Sequence, residues 1–130
     1  MKEHHIGIVV KDIDRDMDIF GQLGYKACSQ VTIDGVQNNR IIFLENSTSS
    51  QRIELIEPLN GGSTVRNFKP GIHHICYEVE QEGDFREAFR EMGIGKIFTQ
   101  DMAAPALDGR RVVFACLKNG MFVEFLMGDR

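Results

Sequence analysis

The stretch HHIGIVV, residues His4–Val10, returns 69 residues later as HHICYEV, residues His73–Val79. All four histidines of the chain lie in these two stretches. A second pair follows nearly the same spacing, because RIELI at Arg52–Ile56 returns as FVEFL at Phe122–Leu126, 70 residues on. Self-similarity at a fixed offset indicates a duplicated structural unit. The sequence therefore predicts two similar modules, each of which contributes a histidine and a glutamate.

The length and composition are typical of one small globular domain. The chain has 130 residues, of which 42% are hydrophobic and 26% charged, and its formal net charge is −4. This mixed, slightly acidic balance argues against a nucleic-acid or membrane partner. Cys28, Cys76 and Cys116 are odd in number and lie in apolar segments, so we expect buried, reduced thiols. With no signal peptide ahead of the first strand, these features predict a cytoplasmic protein.

The hydrophobic pattern predicts the same element order in both halves: a strand, a helix and three further strands. In the first half we expect strands near 4–10, 25–32, 38–45 and 51–57, and a helix from a cap at Asp12 or Asp14 to Gly24. In the second half we expect strands near 73–79, 95–99, 111–117 and 120–127, and a helix at about 83–92 that ends at Gly93. Asp34-Gly35 and Asn119-Gly120 are hairpin signals.

The predicted fold class is α+β. Two paired βαβββ modules, residues 1–58 and 72–130, are expected to form a curved, cup-like mixed sheet with the helices on its outer face. The linker 59–71 suits a short capped helical turn. Residues 101–109 form a loop longer than the matching part of the first half, either as a substrate lid or as a plain connection.

Strand parity selects four polar residues. Side chains alternate between the two faces of a strand, and the more apolar row of each strand should pack under a helix. The opposite row then contains His5, Glu54, His74 and Glu124. Buried imidazoles and carboxylates are costly without a partner, and one divalent cation would offset that cost. Nitrogen and oxygen ligands suit Ni²⁺, Co²⁺, Zn²⁺, Fe²⁺ or Mn²⁺. We therefore expect a metal site, and we interpret His4 and His73 as solvated or hydrogen-bonded residues.

These stretches resemble the vicinal oxygen chelate superfamily, which includes glyoxalases, bleomycin resistance proteins and dioxygenases. The resemblance covers essentially the whole chain through His4–Val10, Glu54–Leu59, Gly71–Val79 and Val123–Leu126. They look most like glyoxalase I (lactoylglutathione lyase) and methylmalonyl-CoA epimerase, and residues 58–65 are epimerase-like. Methylmalonyl-CoA epimerases carry glutamine at the position that matches Glu54, whereas glyoxalase I carries glutamate. The epimerases also use a glutamate base near the position of Arg40.

The resemblance implies a metal-dependent isomerase or lyase that acts through an enediolate, of the glyoxalase I type. The implied base is Glu124 or Glu54, with Glu124 preferred, and the implied ion is Ni²⁺, Co²⁺ or Zn²⁺. The substrate would be a hemithioacetal, a thioester or a similar small molecule. The alternatives are an acyl-CoA epimerase like methylmalonyl-CoA epimerase, a small-molecule-binding or resistance protein without catalysis, and an isomerase with an unrelated substrate.

Three arginines are candidate substrate contacts. Arg40, Arg110 and Arg111 lie at predicted strand starts, where their charge could meet a carboxylate, a phosphate or a carrier group. The simpler interpretation is that they lie in solvent. We also expect a homodimer, formed by pairing of edge strands or by exchange of modules.

Overall fold

The structure, a computed structural model, describes residues 1–80 and 83–128. Within these residues the chain forms ten strands and two α-helices. The elements are β1 (Lys2–Val9), α1 (Ile13–Gly21), β2 (Tyr25–Ala27), β3 (Thr32–Asp34), β4 (Asn39–Asn46), β5 (Arg52–Pro58), β6 (Gly71–Glu78), α2 (Phe85–Met92), β7 (Gly95–Ile97), β8 (Met102–Ala104), β9 (Arg110–Leu117) and β10 (Phe122–Leu126). Parallel and antiparallel pairs both occur, which confirms the predicted mixed α+β fold. Neither described helix is long and apolar enough to cross a membrane.

The chain divides into two compact units, named here by their position in the sequence. The N-terminal unit is His5–His73, and the C-terminal unit combines Met1–His4 with the chain from His74 onward. In the N-terminal unit the strand order is β2-β4-β5-β1, and β3 pairs with β4 beyond the end of β2. β1 and β5 are parallel, whereas β4 is antiparallel to β5, β2 and β3.

Helix α1 covers one face of the N-terminal sheet. Ile13, Met17 and Phe20 pack on a cluster that includes Ile42 and Leu55. This contact confirms the apolar helix face that the sequence predicts at a spacing of three to four residues. Because Leu55 alternates with its strand neighbours, the face under the helix is the one that Glu54 avoids.

The C-terminal unit repeats this arrangement with different side chains. Its strand order is β6-β10-β9-β7, with β6 and β10 parallel, and β8 pairs with β9 beyond the end of β7. Phe85 and Phe89 of α2 pack on Phe125, with ring centroids 4.7 Å and 5.2 Å away. Val113 and Val123 complete this part of the core.

The helix ends follow the predicted signals with one shift. The carboxylate of Asp12 accepts a hydrogen bond from the Arg15 backbone N–H and caps α1, and Asp84 caps α2 in the same way. Gly93 ends α2 in the left-handed conformation at φ 68°, as predicted. Helix α1 ends at Gly21, before the predicted Gly24, although Gly24 does adopt a positive φ of 96°.

Two short strands differ from the prediction. The predicted strand at 25–32 is two strands, because β2 ends at Ala27 and β3 begins at Thr32. The predicted loop at 101–109 contains β8 and a 3₁₀ turn at Pro105–Leu107. Three-residue strands are too short for alternation to reveal them, and they form here because β4 and β9 offer free edges.

Two smaller expectations are wrong. Residues 59–70 form consecutive turns without a helix, and the Ser63 hydroxyl accepts a hydrogen bond from the Val65 N–H instead of capping a helical turn. Cys28 is exposed, because it lies just after β2 ends, whereas Cys76 is buried and Cys116 is half-buried. The prediction of three buried thiols therefore holds in full for Cys76 alone.

Candidate functional site

The N-terminal unit pairs two of the predicted site residues. His5 lies on β1 and Glu54 on the neighbouring parallel strand β5, where Glu54 is in register with Gly7. The Nε2 atom of His5 is 3.4 Å from Oε1 of Glu54. The two side chains are 0% and 7% exposed, so both polar groups are removed from bulk water. Parity places them on the sheet face opposite α1.

The C-terminal unit contains the matching pair. His74 lies on β6 and Glu124 on the parallel strand β10, in register with Cys76. The Nε2 atom of His74 is 3.2 Å from Oε1 of Glu124, and the side chains are 2% and 5% exposed. An ionised carboxylate this deeply buried needs a partner that offsets its lost hydration. Each unit therefore presents one imidazole and one carboxylate that are close enough to act together.

A phenylalanine adjoins each pair. Phe43 is the register partner of Glu54, and its ring meets the His5 ring edge to face at a centroid distance of 5.0 Å. Phe114 is the register partner of Glu124, and its ring is 5.1 Å from that of His74 in the same geometry. The rings surround the polar pairs with apolar surface, which strengthens electrostatic interactions there.

A hydroxyl group holds the backbone of each phenylalanine. The Phe43 N–H donates to Oγ of Ser29, and the Phe114 N–H donates to Oγ1 of Thr99, both at 3.0 Å. These bonds satisfy the N–H groups at the points where β2 and β7 have ended. Sequence reasoning missed this role of the two hydroxyls, although a Ser and a Thr 70 residues apart were visible in the repeat.

Apolar segments cover the same face beyond each His–Glu pair. In the N-terminal unit, Val65 packs on Val9 and Ile56. In the C-terminal unit, Leu107 packs on a cluster that includes Cys76 and Leu126. Val9 and Ile56 share strand parity with His5 and Glu54 respectively, and Cys76 and Leu126 share it with His74 and Glu124. Leu107 belongs to the predicted lid 101–109, so part of that segment lies on the face that carries His74.

A buried polar network fixes the N-terminal cover. The Ser63 hydroxyl donates to Oδ1 of Asn39 at 2.5 Å and accepts from the Val65 N–H at 3.0 Å. Ser63 and Asn39 are 0% and 2% exposed. The Asn39 amide donates in turn to Oγ1 of Thr64 at 3.3 Å. Because buried polar groups are costly when unsatisfied, this network holds residues 63–65 in one position.

Arg40 and Arg111 do not reach the two His–Glu pairs. Arg40 donates to Glu57 at 2.9 Å, and the other oxygen of Glu57 accepts from the Ile13 N–H, so this ion pair lies on the helix side of the sheet. Arg111 has the parity of the core residue Val113 and pairs with Asp101 at 3.1 Å. Both arginines therefore lie on the face opposite Glu54 and Glu124 within their own units.

Arg110, by contrast, lies on the same face as Phe114. Its guanidinium group donates to Oε2 of Glu78 at 2.7 Å and to the Met127 carbonyl at 2.8 Å. The hydrogen bond from Arg110 holds the pKa of Glu78 below its ordinary value, and the nearby charges of Arg110, His4 and Lys2 act in the same direction. Glu78 therefore remains a carboxylate that neutralises Arg110 at neutral pH.

The donor set of each pair fits a divalent transition metal. Two ligands that bind one ion at about 2.1 Å are about 3.0 Å apart in octahedral and about 3.4 Å apart in tetrahedral coordination. The observed separations of 3.4 Å and 3.2 Å fall in this range. Imidazole nitrogen and carboxylate oxygen are also the ligand types that such ions accept. Each pair could thus supply two adjacent ligands to a metal ion.

Comparison with known proteins defines the class. Residues 4–114 match the Glyoxalase/Bleomycin resistance protein/Dioxygenase superfamily. This match covers most of the chain, and the chain therefore belongs to that superfamily. The predicted resemblance to the vicinal oxygen chelate proteins is confirmed.

The particular relatives that match are mainly epimerases. The chain is 34% identical over 91 residues to an ethylmalonyl-CoA/methylmalonyl-CoA epimerase of Cereibacter sphaeroides, an alignment of 65% of this chain and 66% of that protein. It thus spans slightly less than two thirds of this curated relative. Methylmalonyl-CoA epimerase from Mycobacterium tuberculosis has a similar structure, with a TM-score of 0.82, 22% identity and coverage of 99% and 89% of the two chains.

A second solved structure has the same degree of similarity. A hypothetical protein from Bacillus halodurans C-125 superposes with a TM-score of 0.82 at 27% identity, covering 99% of this chain and 95% of that one. The structural likenesses establish the fold. The names of the relatives favour the alternative of an acyl-CoA epimerase over the main prediction of glyoxalase I chemistry.

Proposed function

We propose that the chain is a divalent-metal-dependent acyl-CoA epimerase, which inverts the carbon between a thioester and a carboxylate. The observation that carries this proposal is the buried His–Glu pair on matching strands of both units. The 34% identity to an ethylmalonyl-CoA/methylmalonyl-CoA epimerase supports the choice of reaction. The glyoxalase I interpretation lacks this support.

The proposed metal ligands are His5, Glu54, His74 and Glu124, each of which offers one ligand atom. One ion shared by the two pairs would balance two buried carboxylates, which the two neutral imidazoles alone would not. When bound, a divalent ion supplies Lewis acidity for negative charge that develops on a carbonyl oxygen. Ni²⁺, Co²⁺ and Zn²⁺ are the ions that we expect to be most effective with this donor set.

Glu124 is the proposed base. Its carboxylate accepts the proton from the carbon next to the thioester carbonyl, and the electron pair of that C–H bond moves to the carbonyl oxygen as an enediolate. Return of a proton to the opposite face of the same carbon completes the inversion. Glu54 is the second carboxylate that can handle this proton. Phe43 and Phe114 limit the access of water, which protects the anion from uncontrolled protonation.

The test measures metal content and proton exchange on the same sample. Protein loaded with Co²⁺ or Ni²⁺ is incubated with methylmalonyl-CoA in D₂O, and loss of the α-proton signal is followed by NMR. We expect exchange and inversion in the wild type, and loss of both in Glu124→Gln. Glu57→Gln is the matched control, because Glu57 lies on β5 but faces α1. A metal-loaded protein that exchanges no α-proton would contradict the proposal.

One observation favours a second candidate, glyoxalase I chemistry. Both units use glutamate, and glyoxalase I resembles this chain at Glu54 more closely than the epimerases do. In that reaction the proton would return to the adjacent carbon of a hemithioacetal. Turnover of the hemithioacetal of methylglyoxal and glutathione, without inversion of acyl-CoA, would favour it. A binding or resistance protein would retain small molecules without turnover in either assay.

Three further expectations are proposals of the same kind. We propose that the protein is a cytoplasmic homodimer and that residues 1–58 and 72–130 act as its repeating modules. The edge strands of each unit offer backbone groups for pairing with a second copy. Light scattering after gel filtration measures the mass directly, and a monomeric mass at micromolar concentration would rule out a stable dimer.

A further inference from the structure

We propose that Phe98 and Phe122 form the contact surface for the alkyl substituent of the acyl group. Phe98 would then determine which acyl chains the protein accepts. This inference rests on the proposed epimerase function and names the part of the substrate that the C-terminal unit recognises. The residues that carry it, including Phe114 and His74, all belong to that unit.

The position of Phe98 follows from the strand before it. Ile97, the last residue of β7, packs against the core under α2. Phe98 follows with the opposite parity, and its ring centroid lies 5.7 Å from that of Phe122 and 6.5 Å from that of Phe114. Since the Phe114 ring contacts the His74 imidazole, a row of aromatic rings runs from Phe98 to the proposed metal ligand.

The exposure of Phe98 has no structural explanation in the repeat. Phe98 is 57% exposed, which leaves a large apolar side chain in water at a cost in free energy. Its counterpart in the N-terminal unit is Cys28. Both residues use the same backbone bond, from Cys28 N–H to the Phe43 carbonyl and from Phe98 N–H to the Phe114 carbonyl, each at 2.9 Å. The backbone at this position therefore accepts a much smaller side chain.

The chemistry of the proposed reaction identifies the occupant. The alkyl substituent is bonded to the carbon whose proton Glu124 accepts, so it must lie within a few ångströms of that carboxylate. Phe122 is two residues before Glu124 on the same strand, and residues at this spacing share a face at about 7 Å. An alkyl group on the reacting carbon is thus placed beside the rings of Phe122 and Phe98, whose apolar surface it can cover.

The experiment compares four ligands that differ only at the acyl end. Titration calorimetry measures binding of CoA, malonyl-CoA, methylmalonyl-CoA and ethylmalonyl-CoA to the metal-loaded wild type and to Phe98→Ala. In the wild type each added CH₂ should tighten binding by about fourfold, as expected for its burial. In Phe98→Ala we expect the two alkylated ligands to bind roughly tenfold more weakly, with CoA and malonyl-CoA unchanged.

Two controls separate recognition from damage to the fold. Met92→Ala removes another exposed apolar side chain, 44% exposed on α2, and should leave all four affinities unchanged. Phe98→Leu retains apolar surface and should recover part of the preference for alkylated ligands. A thermal melt of each variant shows whether it folds, and Phe98→Ala should melt within a few degrees of the wild type because it is exposed.

Other results overturn the inference in distinguishable ways. Equal weakening of all four ligands would place Phe98 against the carrier, and unchanged affinities would remove it from recognition. A lower molecular mass for Phe98→Ala in light scattering would show that a second copy of the chain covers this ring instead. If the wild type binds none of the three acyl-CoA ligands, the proposed function itself fails, and the assignment of Phe98 fails with it.

Discussion

In the N-terminal unit the ring of His5 lies 5.0 Å from Phe43, and in the C-terminal unit the ring of His74 lies 5.1 Å from Phe114. The His–Glu separations, 3.4 Å and 3.2 Å, are almost as similar. The duplication has thus kept a histidine, a glutamate and an aromatic wall in one fixed arrangement within each unit.

Around this shared arrangement the two units differ. Arg52 and Cys28 of the N-terminal unit occupy the positions that Phe122 and Phe98 occupy in the C-terminal unit. At the other end of the face, Asn39 matches Arg110, which forms an ion pair with Glu78. The difference teaches that the repeated part suits the chemistry that both halves share, whereas the unlike surroundings suit a substrate with unlike ends.

The sharpest way to break the comparison is to neutralise each glutamate in turn. Because Glu124 is the proposed base, Glu124→Gln should lower epimerisation by roughly 10²- to 10⁴-fold. Glu54→Gln should lower it far less, since the resemblance to methylmalonyl-CoA epimerases implies that glutamine is compatible with the reaction there. Deuterium incorporation at the α-carbon gives both rates.

The result of these two substitutions also separates the candidate reactions. Equal losses in Glu54→Gln and Glu124→Gln would mean that the two glutamates have equivalent roles, which contradicts the assignment of Glu124 as the single principal base. Metal content measured on the same samples shows whether a lost rate reflects a lost ion.

The next test asks whether the two His–Glu pairs share an ion. With one shared ion, metal analysis should give one equivalent per chain, and either His5→Ala or His74→Ala should weaken binding at least as much as loss of a supporting hydrogen bond, about 10- to 100-fold. Saturating metal should raise the melting temperature of the wild type more than that of either variant. Two equivalents per chain, with one retained in each variant, would show instead that the pairs act separately.

The repeat explains why so much of this arrangement is predictable from sequence. Matching offsets identified both His–Glu pairs, because Glu54 and Glu124 interrupt apolar rows whose parity is otherwise plain. The pattern also gave the two helices, since Ile13, Met17 and Phe20 recur at helical spacing. The hairpin at Asn119-Gly120 was equally clear, and Gly120 does adopt a positive φ of 87°.

The missed features depend on contacts between segments distant in sequence. Parity alone places Arg40 on the helix side, but its ion pair with Glu57 follows from the register of β4 against β5, which local patterns do not specify. The burial of Ser63 against Asn39 has the same origin, because the two residues are 24 positions apart. The names of the relatives, and no single residue, shifted the proposed reaction from glyoxalase I to epimerisation.

A smaller effect is expected from the cover of the N-terminal unit. Ser63→Ala removes the hydroxyl that satisfies both Asn39 and the Val65 N–H, so it should lower the free energy of unfolding by about 1–3 kcal/mol. Urea denaturation measures this change, and the exposed Ser49→Ala serves as the control. A change as small as that of the control would mean that water replaces the lost bonds and that the network does not fix the segment.

The smallest effect concerns the ion pair that the N-terminal unit lacks. Because Arg110 lowers the pKa of Glu78 in the folded protein, the Glu78 carboxylate stabilises the fold fully at pH values above its ordinary value of 4.5. That stabilisation is lost as the pH falls through the lowered folded-state value. Arg110→Gln should therefore be less stable than the wild type at pH 7, and the difference should shrink on acidification below about pH 4.

Denaturation curves at pH 7 and pH 3 measure both differences for Arg110→Gln. Arg111→Gln is the matched control, because its pair with Asp101 is 60% and 39% exposed and surface pairs contribute little. A difference that stays the same from pH 7 to pH 3 would mean that Arg110 stabilises the unit through its bond to the Met127 carbonyl, which does not titrate. The charge of Glu78 would then be incidental to the C-terminal unit, and the contrast with Asn39 would be one of packing alone.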